Sequence, residues 1–286
     1  MCDDLQLAQM GRATANRRQF AKGGALAAFA ACVPGGGALA AGGPDPNLVK
    51  FAAPGGTMDA FFFHPPTGKV PAVIMWPDIA GARSTFLAKG RRLSDAGYAV
   101  LVVNPYYRNA PAPQFNDFDE FREKDGTSKV KPWREALTAD AVMDTAKAAI
   151  AWLDQQPSVD TAKGIGVAGY CTSASYAVWT AAAVPDRVKA VASFHGSDLV
   201  ADGDKAPVKL MGQTHAKYLF AIGRNDDKTS PGDKDALKAA AAAANLKADI
   251  SVYQADHGWT VADSPQYDGV AADKAWDKLL DLLDTL

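Results

Sequence analysis

Apolar residues along this chain form short, nearly continuous runs that alternate with longer stretches of helical periodicity. Residues 70–76 are an example of the first kind, and such a run is typical of a strand buried on both faces. Residues 135–156 are an example of the second kind, with Leu137, Ala141 and Ala149 on one side of a helix. Because the two kinds alternate, we predict an α/β fold with a mostly parallel central sheet and helices on both faces.

The same patterns place the remaining elements. Strands are predicted at residues 48–51, 57–63, 70–76, 98–103, 164–169, 188–194, 217–222 and 248–253, and helices at residues 84–96, 135–156, 175–184, 231–244 and 269–286. Residues 109–133 break this alternation, because they are polar and interleaved with Phe115, Phe118, Phe121 and Trp133. Loops of this length are uncommon unless they are functional. The segment is either a lid over a pocket or a surface excursion whose aromatic rings pin it to the body.

The length and composition are those of a single domain. The chain has 286 residues, of which 48% are hydrophobic, and this is enough for one sizeable core. We therefore assign residues 48–286 to one domain, preceded by a Gly- and Pro-containing linker at residues 41–47. The net charge is −2 and no basic stripe occurs beyond the N-terminal region, so nucleic acid is not expected as a partner.

Residues 1–40 resemble an export signal rather than a part of the fold. Arg17 and Arg18 lie in a motif similar to the twin-arginine signal, and a small-residue cleavage site follows at residues 38–40. The weakly apolar run between them, residues 23–33, is too short to anchor the chain stably in a membrane. These features predict export by the twin-arginine machinery to the periplasm or the medium. A disordered tail on a cytoplasmic protein is the alternative.

Removal of this leader leaves a single thiol. Cys2 and Cys32 lie within it, so Cys171 becomes the only cysteine and no internal disulfide can form. Lipidation of Cys32 is an alternative, although Phe29 stands where the recognition motif usually has leucine. An unpaired cysteine in an exported protein is a liability unless it is buried or used, which favours a catalytic role for Cys171.

Cys171 also occupies the sharpest predicted turn of the chain. The strand at residues 164–169 runs into Gly169-x-Cys171-x-Ser173, and an alanine-rich, helix-prone segment follows at residues 175–184. A strand, a tight turn and a helix with a nucleophile at the apex form the nucleophile elbow of α/β-hydrolases. The amides after the turn belong to a helix N-terminus, which favours a thiolate. A small, buried, structural cysteine is the alternative.

Polar side chains follow the predicted strands repeatedly, and sites in parallel sheets form at the carboxyl ends of strands. The residues concerned are Asp78, Arg108, Cys171, His195, Asp226 and His257. Cys171, Asp226 and His257 have the order of nucleophile, acid and base that characterises α/β-hydrolases. His257 would remove the thiol proton, while Asp226 would fix the imidazole tautomer. His195 is the alternative base, and Asp227 is the alternative acid.

Several motifs together resemble the dienelactone hydrolase family, whose members are also called carboxymethylenebutenolidases. The resemblance extends from about residue 70 to the end of the chain. The matching stretches are Pro77-Asp78-Ile79-Ala80-Gly81, residues 92–98, Asn104-Pro105-Tyr106-Tyr107-Arg108, Gly169-Tyr170-Cys171, Gly223-x-x-Asp226 and His257-Gly258-Trp259. Each is weak alone, but their order and spacing are specific. Since the family uses cysteine at the elbow, the resemblance implies that Cys171 is the nucleophile of a hydrolase.

The resemblance implies further roles at matching positions. Asp78 takes the place of a family carboxylate that hydrogen-bonds the resting thiol. The amide of Ile79 would form the oxyanion hole with the amide of Thr172. Arg108 resembles the arginine that grips the carboxylate of the substrate. The other residues expected to line the substrate site are Tyr107, His195 and Trp259.

The chain also departs from the family pattern. Ser173 and Ala174 replace two glycines after the nucleophile, and Val261 stands where a second arginine is usual. Because half of the carboxylate clamp is missing, the lactone of ring-cleavage pathways is in doubt as a substrate.

We therefore predict a cysteine hydrolase that cleaves a small ester or lactone. No cluster of histidines, cysteines and acids has metal-ligand spacing, and no cofactor is expected. One alternative is a non-catalytic binding protein on the same scaffold, which the altered elbow motivates. Another is a general short-chain esterase whose aromatic residues at 109–133 select apolar acyl chains.

Overall fold

The computed structural model describes residues 45–286, so the predicted leader at residues 1–40 lies outside the described residues. Within residues 45–286 the chain forms one eight-stranded sheet. Its strands are β1 (Leu48–Ala53), β2 (Gly56–Phe63), β3 (Ala72–Trp76), β4 (Ala99–Val103), β5 (Ile165–Tyr170), β6 (Val188–Phe194), β7 (Lys217–Gly223) and β8 (Ala248–Tyr253). They lie in the order β1-β2-β4-β3-β5-β6-β7-β8.

The sheet is parallel from β4 to β8 in this order, and the antiparallel pairings are those of β2 with β1 and with β4. The mostly parallel sheet expected from the sequence is therefore confirmed. The central strands are apolar on both sides, and every residue of β3 and β4 is buried. Because the parallel strands share one direction, their carboxyl ends meet at one edge of the sheet, where the expected site residues stand.

Helices cover both faces of the sheet. They are α1 (Ser84–Asp95), α2 (Phe118–Glu123), α3 (Gly126–Glu135), α4 (Ala139–Leu153), α5 (Ala174–Ala183), α6 (Pro207–Leu210), α7 (Arg224–Thr229), α8 (Asp233–Ala243) and α9 (Gly269–Leu283). The apolar sides of α4, α5 and α8 belong to one buried cluster, and those of α1 and α9 belong to a second cluster. None of the helices in the described part of the chain is long and apolar enough to cross a bilayer.

The segment at residues 109–133 is more regular than its sequence suggested, since it contains α2 and most of α3. The side chain of Asp117 accepts a hydrogen bond from the amide of Glu120 and so caps the start of α2. The buried rings of Phe115 and Phe121 meet edge to face, with centroids 5.1 Å apart. These rings fasten the segment to the body of the protein.

The helix expected at residues 135–156 is α4, which begins later. The side chain of Thr138 accepts a hydrogen bond from the amide of Ala141, and this cap fixes the first helical residue as Ala139. Of the residues before the cap, Glu135 ends α3, whereas residues 136–138 lie between the two helices. The predicted helix therefore began four residues too early.

Candidate active site

Cys171 lies at the carboxyl end of β5, in the turn that leads into α5. Its φ of 58° places it in the left-handed region, which residues with a side chain adopt at a cost in strain. The short helical turn Cys171–Ser173 follows and continues directly into α5. The strand, strained turn and helix form the elbow that the sequence predicted. The side chain is largely covered, with 5% of Cys171 accessible to solvent.

Small residues allow the strand and the helix to pass close together at this turn. A Cβ atom added to Gly169 would lie 2.3 Å from the carbonyl oxygen of Ser173, which leaves no room for a side chain. Oγ of Ser173 lies 2.7 Å from the carbonyl oxygen of Trp76 and 2.9 Å from that of Tyr170. The serine that replaces a family glycine is therefore tied to the ends of two strands.

Asp226 and His257 form the pair that the sequence proposed. Nδ1 of His257 lies 3.0 Å from Oδ1 of Asp226, and both side chains are buried. Asp227, the alternative acid, instead accepts a hydrogen bond from Nζ of Lys234 at 2.6 Å. The geometry therefore favours Asp226 over Asp227 as the partner of His257.

The loops that carry this pair are joined at two more points. The guanidinium group of Arg224 makes two hydrogen bonds to the carboxylate of Asp256, at 2.8 and 3.1 Å. The backbone amide of His257 donates to Oδ1 of Asn225 at 2.8 Å. These bonds hold the ends of β7 and β8 in register, so the imidazole and the carboxylate meet with little freedom to move apart.

Cys171 and His257 line the same cavity. The lining residues are Asp78, Ile79, Phe118, Cys171, His195, His257, Gly258, Val261 and Ser264. The volume open to a water-sized sphere is about 10 Å³, which is no more than one water molecule needs. The space beside the sulfur is therefore narrow.

The loop after β3 presents an amide to this cavity. Within residues 45–286 the amide of Ile79 donates to no backbone acceptor, and its carbonyl accepts a hydrogen bond from the hydroxyl of Tyr106 at 2.8 Å. Burial raises the pKa of Tyr106 well above its usual value, so this hydroxyl remains a donor. The amide of Thr172 belongs to the first turn after the elbow, where amides lack intrahelical acceptors. The two amides are suited to bind an oxyanion beside Cys171.

Asp78 also lines the cavity, but an arginine that the sequence analysis missed holds its carboxylate. Arg83 donates to Oδ1 of Asp78 at 2.7 Å and to Oδ2 at 3.0 Å. The same guanidinium group makes two hydrogen bonds to Asp263, at 2.8 and 2.9 Å. Burial alone lowers the pKa of Arg83, but the two carboxylates outweigh it and raise this pKa, so the arginine stays charged. Asp78 is thus part of a buried ion network with Arg83 and Asp263, at the edge of the cavity that Cys171 also lines.

Three residues expected to contact the substrate, Arg108, Tyr107 and Trp259, do not line the small cavity and make other contacts in this structure. Arg108 donates to the carbonyl oxygen of Pro54 at 2.9 Å and to Oγ1 of Thr145 at 2.8 Å. The hydroxyl of Tyr107 donates to the same carbonyl. These bonds fasten the chain after β4 to α4 and to the β1–β2 turn, because the guanidinium group finds acceptors there.

The third is Trp259, which is fully buried and does not line the cavity. Its ring stacks on Tyr253 with centroids 5.3 Å apart and meets His195 edge to face at 5.2 Å. Trp259 therefore packs beneath the site as a core residue. His195 does line the cavity, as expected, and its Nε2 lies 2.9 Å from Oγ1 of Thr260.

A much larger cavity, of about 770 Å³, opens on the other side of Thr172. Its wall includes Arg134 from α3, whose Nη2 lies 3.4 Å from Oγ1 of Thr172. Tyr176 and Trp179 of α5 add a stacked aromatic surface, with centroids 5.6 Å apart. The volume is in the range of pockets that hold small organic molecules. The sequence analysis did not single out Arg134.

Residues 45–286 contain no group of three or more histidine, cysteine or acidic side chains placed to hold a metal ion.

Comparison with known proteins gives a consistent result. Residues 58–286 match the model of the dienelactone hydrolase family. A candidate carboxymethylenebutenolidase of Synechocystis sp. is 26% identical over 222 residues, covering 76% of this chain and 87% of the relative. The carboxymethylenebutenolidase of Pseudomonas sp. strain P51 is 24% identical, covering 80% and 90%. The crystal structure of a candidate dienelactone hydrolase from Klebsiella pneumoniae superposes with a TM-score of 0.69 at 22% identity, covering 84% of this chain and 98% of that one.

Proposed function

The chain belongs to the dienelactone hydrolase family, and from this premise we propose that it cleaves a small ester or lactone with Cys171 as its nucleophile. Members of the family are hydrolases of ester and lactone bonds. The observation that carries the proposal is the position of Cys171: it stands at a strained elbow and shares a cavity with the buried His257–Asp226 pair. A purely structural cysteine requires neither the strain nor the pair.

The first half of the reaction forms a thioester. Because Nδ1 of His257 faces Asp226, Nε2 is the nitrogen that takes the proton from the Cys171 thiol. The thiolate then attacks the carbonyl carbon, and the carbonyl electron pair moves to oxygen, which the amides of Ile79 and Thr172 bind. When the intermediate collapses, the bond to the alcohol oxygen breaks, and His257 returns the proton to that oxygen.

The second half releases the acid. His257 takes a proton from a water molecule, and the hydroxide attacks the thioester carbon. The oxyanion forms again at the same two amides, and its collapse expels the Cys171 thiolate, which recovers its proton from His257. Asp226 stabilises the imidazolium in both halves without itself becoming protonated. The net reaction consumes one water molecule and needs no metal or organic cofactor.

The large cavity beyond Thr172 supports a substrate of small organic size. Its volume of about 770 Å³ contrasts with about 10 Å³ beside the sulfur, so the cavity suits the part of the substrate that does not react. Arg134 lies where the cavity meets the elbow, and Trp179 lines its aromatic side. The lining carries both basic residues (Lys131, Arg134, Lys205) and acidic ones (Glu135, Asp198, Asp202, Asp204), and the guanidinium group beside the elbow is the group suited to a carboxylate on a substrate with a flat or apolar body.

The experiment that tests the nucleophile compares the wild-type chain with Cys171→Ala and Cys171→Ser on p-nitrophenyl acetate. We expect both variants to lose at least about 1,000-fold in kcat. Alkylation by iodoacetamide of a wild-type chain that begins at residue 41, and so keeps only Cys171, should abolish turnover with one label per chain. Undiminished turnover by the alanine variant would disprove the proposal.

The narrow space beside the sulfur favours a second candidate, a non-catalytic binding protein on the same scaffold. The rate of Cys171 alkylation as a function of pH separates the two. An enzyme should show a thiolate that forms below the ordinary pKa of cysteine and a slower reaction after His257→Gln. A binder should show a thiol that reacts slowly at every pH in both proteins.

We also propose that residues 1–40 direct export by the twin-arginine route. The paired Arg17 and Arg18 and the small residues at 38–40 support this. Replacing both arginines with lysine should retain the protein in the cytoplasm, whereas the unchanged chain should appear in the periplasmic fraction in a shortened form. Equal export of both chains would contradict the proposal.

A further inference from the structure

His195 is a buried titratable residue that the mechanism above does not use. It follows β6 with a φ of 40°, so its backbone, like that of Cys171, lies in the left-handed region. Its ring lines the small cavity, and the ring centroid lies 4.8 Å from that of His257, edge to face. Strained backbone at two residues that border one cavity is unusual, and such strain is concentrated at functional sites.

The ring of His195 is neutral at physiological pH. Burial lowers its pKa well below the usual value, and the charges of His257 and Lys89 lower it further, while its own backbone partly opposes them. A neutral imidazole has one nitrogen that donates and one that accepts. The question is therefore which nitrogen of His195 carries the proton.

The hydrogen bond between Thr260 and His195 indicates which nitrogen carries the proton. Its hydroxyl is buried, and within residues 45–286 its only hydrogen-bond partner is Nε2 of His195, at 2.9 Å. If Thr260 donates to Nε2, the hydroxyl is satisfied and the proton lies on Nδ1. The reverse arrangement would leave the hydroxyl proton of Thr260 without an acceptor. With the proton on Nδ1 one buried group lacks a partner, whereas the reverse arrangement leaves two, the hydroxyl proton of Thr260 and the acceptor Nδ1, so we assign the proton to Nδ1 of His195.

This assignment leaves one donor unmatched. Nδ1 of His195 is buried, and no atom of residues 45–286 meets hydrogen-bond geometry with it. An unmatched buried donor is costly and is seldom retained without a use. His195, Cys171 and His257 line one cavity, so an oxygen atom of an ester bound there would supply an acceptor for this donor.

We propose that Nδ1 of His195 donates a hydrogen bond to the alcohol-side oxygen of the substrate, and in the second half-reaction to the attacking water. The ring of His195 packs against that of His257, which exchanges a proton with the same substrate or water oxygen. In the proposal, His195 hydrogen-bonds this oxygen while His257 transfers its proton. Thr260 is a positioning residue that fixes the tautomer. This inference rests on the proposed function.

The test uses a matched pair of variants. The amide of glutamine reaches the position of Nε2 and keeps a partner for Thr260, whereas the amide of asparagine reaches the position of Nδ1 and keeps the donor. On ethyl acetate, whose alkoxide leaves poorly, we expect His195→Gln to lose about 100-fold in kcat/KM and His195→Asn to lose less than about 10-fold.

A second substrate separates a chemical role from a structural one. The p-nitrophenolate group leaves without a hydrogen-bond donor or an added proton. On p-nitrophenyl acetate we therefore expect His195→Gln to lose only about three-fold in kcat/KM. Equal losses for the two variants, or equal losses on the two esters, would overturn the proposal. Failure of the proposed function has a different signature, namely turnover of p-nitrophenyl acetate by Cys171→Ala.

Variants of Thr260 decide the matter if the His195 variants do not fold. Thr260→Ser keeps the hydroxyl and should retain full activity on ethyl acetate. Thr260→Val removes the hydroxyl, so the proton of His195 can lie on either ring nitrogen. We expect kcat/KM to fall about 10-fold on ethyl acetate and almost not at all on p-nitrophenyl acetate. Identical behaviour of the serine and valine variants would overturn the inference.

Discussion

Nδ1 of His257 lies 3.0 Å from Oδ1 of Asp226, although the two residues follow different strands of the sheet. The bond orients the imidazole, so that Nε2 is the nitrogen to which we assign the proton transfer of the proposed reaction. Asp226→Asn should lower kcat by about 1,000-fold or more, because the amide favours the wrong tautomer. Hydrolysis of p-nitrophenyl acetate measures the effect. Asp227→Asn is the matched control and should retain nearly full activity; an equal loss in this control would contradict the assignment.

The ion network around Arg83 makes a prediction about stability. Arg83 is buried between Asp78 and Asp263, so Arg83→Met leaves two carboxylates without their partner and should cost about 3–5 kcal/mol of unfolding free energy. Urea unfolding measures this. The control is Lys147→Gln, since the pair of Lys147 with Asp144 is exposed and should contribute no more than about 0.5 kcal/mol. Similar losses in both variants would show that the buried network does not stabilise the fold.

Because Lys89 is buried, the unfolding free energy of the protein should depend on pH. Burial lowers the pKa of Lys89 to about 8, assisted by the charge of Arg92 and opposed by Asp78 and Asp263. Below pH 8 the lysine is charged in both states, and the full cost of burying it is present. Between pH 8 and pH 10.5 only the unfolded chain keeps the proton, so stability rises with pH. The recovered free energy is at most about 3 kcal/mol.

Urea unfolding of the wild type and of Lys89→Met at pH 7 and pH 9.5 measures this effect. The wild type should gain stability relative to the variant as the pH rises. Lys278→Met is the control: its hydrogen bond to Asp249 raises the pKa of Lys278, so the contribution of Lys278 persists through this interval. A stability difference between wild type and Lys89→Met that does not change with pH would contradict the prediction.

Replacing Arg134 should change substrate specificity, whereas replacing Arg108 should not. Arg134 lines the large cavity beside Thr172, whereas Arg108 is bonded to Pro54 and Thr145. Arg134→Gln should lower kcat/KM about 10-fold or more for an activated ester whose acyl chain ends in a carboxylate, and little for its neutral methyl-capped counterpart. Arg108→Gln should lower the unfolding temperature and affect both esters alike. The reverse pattern would restore the role that the family resemblance implied for Arg108.

Most of the architecture could be predicted from the sequence. Buried parallel strands are continuous apolar runs, so β3, β4 and β6 were evident, and the polar residues after the strands indicated the functional edge. The segment at 109–133 was predicted less well, because polar residues hid α2 and α3. The cap at Asp117, three residues before Glu120, was the local signal that could have located α2.

The parts of the site that escaped prediction depend on contacts between distant residues. Arg83 and Asp263 are 180 positions apart, and no local pattern indicates that they meet. Arg108 fitted a family motif, yet the direction of its side chain depends on acceptors at Pro54 and on α4. A motif fixes which residue is present at a strand end, whereas packing decides where a long side chain finds its partners.

Phe118, which lines the same cavity as Cys171, is attached to the ion network of Arg83 and Asp263. Its amide donates to Oδ2 of Asp263 at 3.1 Å, and its ring packs on the guanidinium group of Arg83, 5.6 Å from centroid to carbon. A backbone shift that moves Phe118 away from Cys171 must therefore lengthen the hydrogen bond from the Phe118 amide to Asp263, and this carboxylate also holds Arg83. Entry of a substrate beside Cys171 and the rigidity of the loop after β3 are consequently coupled. A ligand that displaces Phe118 should therefore also make the loop that carries Asp78 more mobile.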